Sequence, residues 1–252
     1  MKTTKRSLLL VLLGTFVFPL LFILFLSLAV SWRFPQLLPD KLSLVALFST
    51  GDNLLKGLSN SLLIAFSVSV LCVPAAFAIS KQLVKYKNKQ FVLLCAYLPF
   101  TISPVVYAAC LNYYFVVAGL NGTLIGVILA QLIIVFPYNI ILFMSHWNKQ
   151  LESYAELVST LGGNKRQTYF KVLIPLSRKI IMIAFFQSFL ISWFEFGLTN
   201  FIGIGQVQTL TVRVYQYIGE ANVQLSAVSS LILILPPLFL LWLNKKTVFH
   251  QV

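Results

Sequence analysis

Few side chains in this sequence could carry out acid–base or metal chemistry, and their spacing argues against both. The sequence contains six acidic residues, two histidines far apart, His146 and His250, and three cysteines within apolar runs, Cys72, Cys95 and Cys110. A metal or catalytic site needs several such groups close together, for example a CxxC pair or a cluster of His and carboxylates. The pattern therefore predicts no metal site, no catalytic residues and no cofactor held by this chain.

Glu195 is the one acidic residue within a long apolar run, in the sequence Trp-Phe-Glu-Phe. A charge at the centre of a membrane costs about 2.5–3.5 kcal/mol on insertion scales, so we expect this side chain to face protein or water rather than lipid. Gln187, Glu195 and Thr199 recur at helical spacing, with Ser188 and Ser192 on an adjacent strip. Polar residues in this arrangement commonly form hydrogen bonds between membrane helices.

The longest polar segment between apolar runs, 146–179, contains signals for two short helices. Ser153 followed by Glu156 fits a capping box at the start of the first helix. Gly162 and Gly163 predict its end, because glycine accepts the left-handed conformation that follows many helices. A segment of about 30 residues needs such internal structure to be stable.

A second capping signal follows directly. Asn164 with Gln167 predicts the start of another helix, and we expect that helix to end before Pro175. The segment 146–179 is therefore predicted to be a helix–turn–helix at the protein surface, exposed enough to contact a partner.

Six stretches of the chain are long and apolar enough to cross a membrane. Hydrophobic residues make up 59% of the sequence and charged residues 10%, against about 45–50% and about 25% in soluble domains. A membrane helix needs about 20 largely apolar residues. Pro99 and Pro104 within the third stretch indicate a bent helix. We predict an all-α polytopic membrane protein with six transmembrane helices, at 8–31, 59–80, 91–117, 122–145, 180–202 and 223–243.

The first stretch follows Lys2, Lys5 and Arg6, a charged start that is also typical of secretory signal peptides. Its apolar run is much longer than the roughly 7–15 residues of a signal-peptide core. We therefore predict a retained membrane span, with cleavage as the alternative.

The positive charge of the chain is concentrated on one side of the predicted membrane. The net charge is +13, but Lys and Arg flank the apolar stretches instead of forming one basic face, which argues against a nucleic-acid-binding surface. Taken over alternate connecting segments, 15 of the 19 Lys and Arg residues lie on the same side. Short loops rich in positive charge stay in the cytoplasm. Both termini and the segment 146–179 are therefore predicted to be cytoplasmic.

The sequence from Glu156 to Gly162, followed after nine residues by Val172-Leu173-Ile174-Pro175, resembles a known motif. It is similar to the EAA loop of permease subunits of binding-protein-dependent ABC importers, whose pattern is Glu-Ala-Ala, three residues, Gly, nine residues and Ile-x-Leu-Pro. Glu156, Gly162 and Pro175 match in register, whereas Leu157 and Val158 stand where that family has two alanines. The resemblance is to the group of permeases for iron, thiamine, polyamines or phosphonates.

The resemblance implies one transmembrane domain over residues 1–252, half of a solute pathway, in a bacterial inner membrane. Its partners would be two ATP-binding subunits, a second permease copy or sister permease, an extracytoplasmic solute-binding protein and membrane lipid. ATP and Mg would bind to the partner ATPase, and this chain has no GxxxxGK[ST] loop of its own. The residues implied in contact with the ATPase are Glu156, Leu157, Leu161, Gly162, Gly163 and Pro175.

In this family the fifth span helps to line the translocation pathway. The resemblance therefore implies a pathway role for Gln187, Ser192, Glu195 and Thr199, beside the alternative that these residues form interhelical hydrogen bonds.

Two other classes of membrane protein were weighed. An ion-coupled secondary carrier often shows repeated halves and paired ionisable residues at mid-membrane, whereas this sequence has one acid within its spans and no clear repeat. A membrane-embedded enzyme would need clustered His, Asp or Glu. The secondary carrier is the alternative that we retain.

Overall fold

The computed structural model describes residues 2–30, 41–42 and 51–248, and most of these residues are helical. Two strands of two residues, β1 (Ala29–Val30) and β2 (Lys41–Leu42), pair antiparallel. The prediction of an all-α membrane protein is confirmed. The helices are α1 (Lys2–Leu28), α2 (Gly51–Val84), α3 (Lys89–Thr101), α4 (Pro104–Val117), α5 (Leu124–His146), α6 (Lys149–Thr160), α7 (Lys165–Gln167), a π-helix (Thr168–Leu173), α8 (Ile174–Leu176), α9 (Arg178–Trp193), α10 (Gly197–Gly203), α11 (Leu210–Gly219) and α12 (Val223–Val248).

Within the described residues, three helices are long and apolar enough to cross a membrane, and up to five spans result if each of two bent helix pairs counts as one. The three are α2, α5 and α12, and the bent pairs are α3 with α4 and the segment Lys165–Leu176 with α9. The predicted first span, 8–31, overlaps α1, but this helix ends at Leu28, and Ala29–Val30 form β1. Residue 31 and the side chains of residues 8–13 lie outside the described part of the chain.

The predicted third span consists of two helices, which meet at an angle of 101°. Ser103 has the extended conformation (φ −59°, ψ 136°), and Pro104 begins the next helix. The ring of a proline disfavours the helical conformation of the residue before it, while its fixed φ suits the first turn of a helix. The bend predicted from the prolines is therefore a complete break.

The predicted fifth span, 180–202, is also broken. The helix α9 ends at Trp193, and α10 begins at Gly197. A Cβ atom placed on Gly197 would lie 3.0 Å from both the backbone nitrogen and a methyl carbon of Val105. The first turn of α10 thus packs directly against the first turn of α4, which places the two breaks side by side.

Two groups of buried apolar side chains hold these helices together. One joins α2, α4, α5 and α10, with Val68, Val127 and Leu198 all fully buried. The other joins α2, α5 and α9 around Phe77 and Phe143, whose rings make an edge-to-face contact with centroids 5.2 Å apart. By its internal contacts the chain forms two compact units, Met1–Asn60 with Thr209–Leu238 and Ser61–Gln208 with Phe239–Val252. A single transmembrane domain stays a prediction.

Gly197→Ala is expected to destabilise the protein, because the added methyl group has no room against the backbone of Val105. Overpacking of this kind costs about 1–3 kcal/mol. The midpoint of thermal unfolding in detergent measures the effect. Gly219→Ala is the matched control, since a Cβ at Gly219 would meet nothing within 4 Å. Equal midpoints for the two variants would contradict the close approach of α10 to α4.

Candidate coupling loop and buried polar network

The first helix of the predicted cytoplasmic segment, α6, starts earlier than its sequence suggests. Asn148 is the capping residue, and its side-chain oxygen accepts a hydrogen bond of 2.9 Å from the backbone N–H of Leu151. Asparagine is among the best N-terminal caps. The predicted capping box of Ser153 and Glu156 is therefore wrong, since both residues lie inside a helix that is already capped.

The predicted end of α6 is confirmed. Gly162 has a φ of +78°, in the left-handed region. Its N–H donates to the carbonyl of Ser159 at 3.1 Å, and the N–H of Gly163 donates to the carbonyl of Val158 at 2.9 Å. These two bonds form the Schellman motif, which satisfies the last carbonyls of a helix and fixes the direction of the outgoing chain.

The second helical segment begins as predicted and ends later. Asn164 and Gln167 form a reciprocal capping box, with bonds of 2.8 and 3.0 Å. The segment then continues through the π-helix and ends at Leu176, so the predicted end before Pro175 is wrong. The N–H of Ile174 bonds to the carbonyl of Tyr169, five residues back. This wider π turn carries the helix up to Pro175, whose fixed φ suits the first turn of α8.

The base of this loop is fastened to the ends of α2 and α5. The indole N–H of Trp147 donates to the hydroxyl of Ser80 at 2.9 Å. The ring of Phe77 contacts the rings of Trp147 and Tyr169, with centroids 5.0 and 5.7 Å apart. At the other end of the loop, His146 and Ser177 are hydrogen-bonded at 2.9 Å. The loop is therefore attached to both α2 and α5.

The predicted ATPase-contact residues lie at the surface. Leu157 and Leu161, at the end of α6, are 57% and 79% exposed. Glu156 and Gly162 are also exposed, and Gly163 is half-buried. These five residues are close together because they belong to the last turns of α6 and its Schellman motif. Pro175 is exposed on the second helical segment, at a different place in the loop.

Glu156 also borders a groove between α6 and the end of α2, with a volume of about 180 Å³. Lys81 of α2 and Lys85, the residue after α2, line one wall, and Trp147 and Leu173 contribute apolar surface. Glu156 thus shares the lining of this groove with two lysines of its own chain, and it is also exposed at the surface.

Three of the four predicted pathway residues meet in a buried polar network. The carboxylate of Glu195 accepts hydrogen bonds from the backbone N–H groups of Leu198 (2.6 Å) and Thr199 (2.9 Å), and from the Thr199 hydroxyl (2.8 Å). Gln131 on α5 donates to that same hydroxyl at 3.0 Å and accepts from the hydroxyl of Ser192. Gln187 takes no part in this network. Glu195 therefore satisfies two of the free amides at the start of α10.

A second polar contact joins α5 to α9. The side-chain nitrogen of Asn139 on α5 donates to Ser188 of α9 at 2.7 Å and to its own helix at Val135. It also approaches the sulfur of Cys72 at 3.4 Å. The side-chain oxygen of Asn139 is buried and has no hydrogen-bond partner among the described residues.

Gln131 and Asn139 were not predicted to be functional residues, although the sequence carries a signal for them. They are amides in an otherwise apolar helix, and their spacing of eight residues places them on one face. The observed bonds are interhelical hydrogen bonds. A pathway role for Gln187, Ser192, Glu195 and Thr199 stays a prediction. Within the described ranges, no three His, Cys, Asp or Glu side chains lie close enough to hold a metal ion.

No model of a known protein family matches this sequence. Two curated proteins are similar to part of it. Sulfate permease 2, chloroplastic, of Chlamydomonas reinhardtii is 25% identical over 177 residues, which cover 64% of this chain and 48% of that protein. Spermidine/putrescine transport system permease protein PotC of Haemophilus influenzae is 22% identical over 169 residues, or 66% of each chain. The similarity thus spans about half to two thirds of the relatives' length.

A solved structure shares the fold over nearly the whole chain. It is the crystal structure of a bacterial ABC transporter involved in the import of the acidic polysaccharide alginate, with a TM-score of 0.62 and 15% sequence identity. The match covers 99% of this chain and 96% of that one. The chain therefore shares its fold with a chain of that bacterial ABC transporter, in agreement with the resemblance of the loop at 156–175.

Proposed function

We propose that this chain is the permease subunit of an ATP-driven importer, forming half of a solute pathway. The observation that carries the proposal is the loop: α6 ends in a Schellman motif that leaves Leu157 and Leu161 exposed, on a base fastened to two membrane helices. Exposed apolar side chains on a well-anchored helix suit a groove in a protein partner. The fold shared with an ABC importer supports this assignment over a secondary carrier.

The partner that fits this loop is a separate ATP-binding subunit, which would hold ATP and Mg. ATP hydrolysis would take place there, and this chain would act as a transport subunit without catalytic residues. Two such subunits, a second permease copy or sister permease, and an extracytoplasmic solute-binding protein complete the proposed assembly. The proposed location is a bacterial inner membrane, and the distribution of Lys and Arg supports an orientation with both termini in the cytoplasm.

The geometry suggests how the loop transmits motion. Force on the end of α6 reaches α2 through Trp147 and Ser80, and through the ring of Phe77. Packed side chains move together because protein interiors are dense. Closure of the ATP-binding subunits would thus displace α2 and α5 together. The polar residues Gln187, Ser192, Glu195 and Thr199 are proposed to line the pathway in a state where α5 and α9 separate.

Gly162→Val is expected to uncouple ATP hydrolysis from uptake. The left-handed conformation costs an ordinary residue about 1–2 kcal/mol, and valine would therefore reorient the end of α6. A Cβ at Gly162 would meet nothing within 4 Å, so the effect comes from the backbone and not from a clash. Uptake and ATPase rates of the assembled transporter in proteoliposomes measure the coupling.

Two further variants test this explanation. Gly162→Asn should retain most coupling, since asparagine tolerates the left-handed region. Gly119→Val imposes similar backbone strain outside the loop, because Gly119 has a φ of +66° and open space around it. It should leave the ratio of uptake to ATP hydrolysis unchanged. Normal coupling in Gly162→Val at normal expression would count heavily against the coupling role.

Leu161→Asp is expected to abolish co-purification of the ATP-binding subunits. The side chain is 79% exposed, so the change should cost the permease little stability while placing a charge in an apolar contact. Tyr86→Asp is the matched control, because Tyr86 is 57% exposed in another loop of the predicted cytoplasmic side. If Leu161→Asp retained its ATP-binding subunits as fully as Tyr86→Asp, the proposed contact would be wrong.

A further inference from the structure

The segment after the Schellman turn, residues 164–179, carries positive charge without any acid. It contains no Asp or Glu and five basic residues, Lys165, Arg166, Lys171, Arg178 and Lys179. Surface helices usually carry both signs of charge, since opposite charges three or four residues apart stabilise them. A helix with cations alone suits an anionic partner.

This segment has two distinct faces. The inner face packs on α2, with Leu173 and Thr168 buried and the ring of Tyr169 against Phe77. The outer face exposes Phe170, at 60%. Near the elbow with α9, Leu176 is 50% exposed. Exposed apolar side chains among cations are typical of helices that lie in a membrane interface.

The orientation of the segment agrees with an interfacial position. The helical segment Lys165–Leu176 meets α9 at an angle of 74°. Membrane-spanning helices are tilted by about 20° on average from the membrane normal. If α9 is such a helix, the segment lies close to the membrane plane. Its cations are then at the depth of lipid headgroups.

A shallow groove of about 340 Å³ on this segment is lined by Asn164, Arg166, Gln167, Phe170 and Lys171. Arg166 and Lys171 supply two exposed cations, and a guanidinium pairs well with a phosphate group. The capping bonds use the side-chain oxygens of Asn164 and Gln167, so their NH₂ groups are additional donors. Phe170 provides an apolar surface beside these polar groups.

We propose that this groove binds the phosphate headgroup of an anionic phospholipid of the cytoplasmic leaflet. Arg166 and Lys171 hold the phosphate, and Phe170 lies against the apolar part of the lipid near its glycerol. An acidic segment of a protein partner would match the cations, but it would not account for the exposed Phe170 or for the 74° angle. The groove is separate from the end of α6, and Pro175, the predicted ATPase-contact residue on this segment, does not line it.

The test uses the purified full-length chain in detergent, with phosphatidylglycerol or phosphatidylcholine added and the bound lipid counted by native mass spectrometry. The wild type should retain phosphatidylglycerol in preference to phosphatidylcholine. Removal of one Lys or Arg near an anionic lipid surface weakens lipid binding roughly fivefold. The double variant Arg166→Gln, Lys171→Gln should therefore bind phosphatidylglycerol about 30-fold more weakly.

Two control variants distinguish the loss of this site from a general loss of positive charge and from misfolding. Lys87→Gln, Lys89→Gln removes two exposed cations of another loop and should leave binding unchanged. Arg166→Lys, Lys171→Arg keeps both charges and should restore most binding. Equal lipid retention by wild type and the Arg166→Gln, Lys171→Gln variant would overturn the proposal, as would equal losses in both charge-removal variants. The proposal would also be overturned if the Arg166→Gln, Lys171→Gln variant bound lipid normally but lost a protein partner at co-purification. That result would assign the groove to the protein partner.

Discussion

Backbone groups freed at a helix break must find partners when the surroundings are apolar, and much of the described structure follows from this constraint. Unpaired N–H and C=O groups in a membrane cost several kcal/mol each. At the break between α9 and α10, the carboxylate of Glu195 accepts two of the free amides and a hydroxyl. The acid is therefore a structural cap for α10, which explains why a single acidic residue is tolerated within this apolar stretch.

The same break determines how the neighbouring helices pack. Gly197 has no side chain, so α10 can approach the first turn of α4, which itself begins at a break caused by Pro104. Gln131 then links the broken segment to α5 through Ser192 and Thr199. Asn139 repeats this kind of link with Ser188. The broken span formed by α9 and α10 is thus held to the continuous helix α5 by polar contacts as well as by buried apolar side chains.

The predicted cytoplasmic loop follows a different rule. Its helices are short and polar, so their stability comes from caps and from a few anchors. Asn148 and Asn164 cap the helix starts, and Gly162 closes the end of α6. Phe77 joins the loop to the core through two aromatic rings. This division leaves two surfaces open for partners: the apolar end of α6, and the basic outer face of the segment that follows.

The sequence alone determined the class of the protein and the local chemistry of the loop. Apolar content excluded a soluble domain. The glycine turn and the Asn164 capping box depend on residues within five positions of each other, so they are visible in sequence. The start of α6 was predicted wrongly because two capping patterns lie close together in the sequence. The helix is capped by Asn148 and not by the pattern of Ser153 and Glu156. The tertiary structure decided the partners of Glu195, Gln131 and Asn139. Gln131 and Thr199 are 68 positions apart, and Asn139 and Ser188 are 49 apart, and only the packing of separate helices brings such residues together.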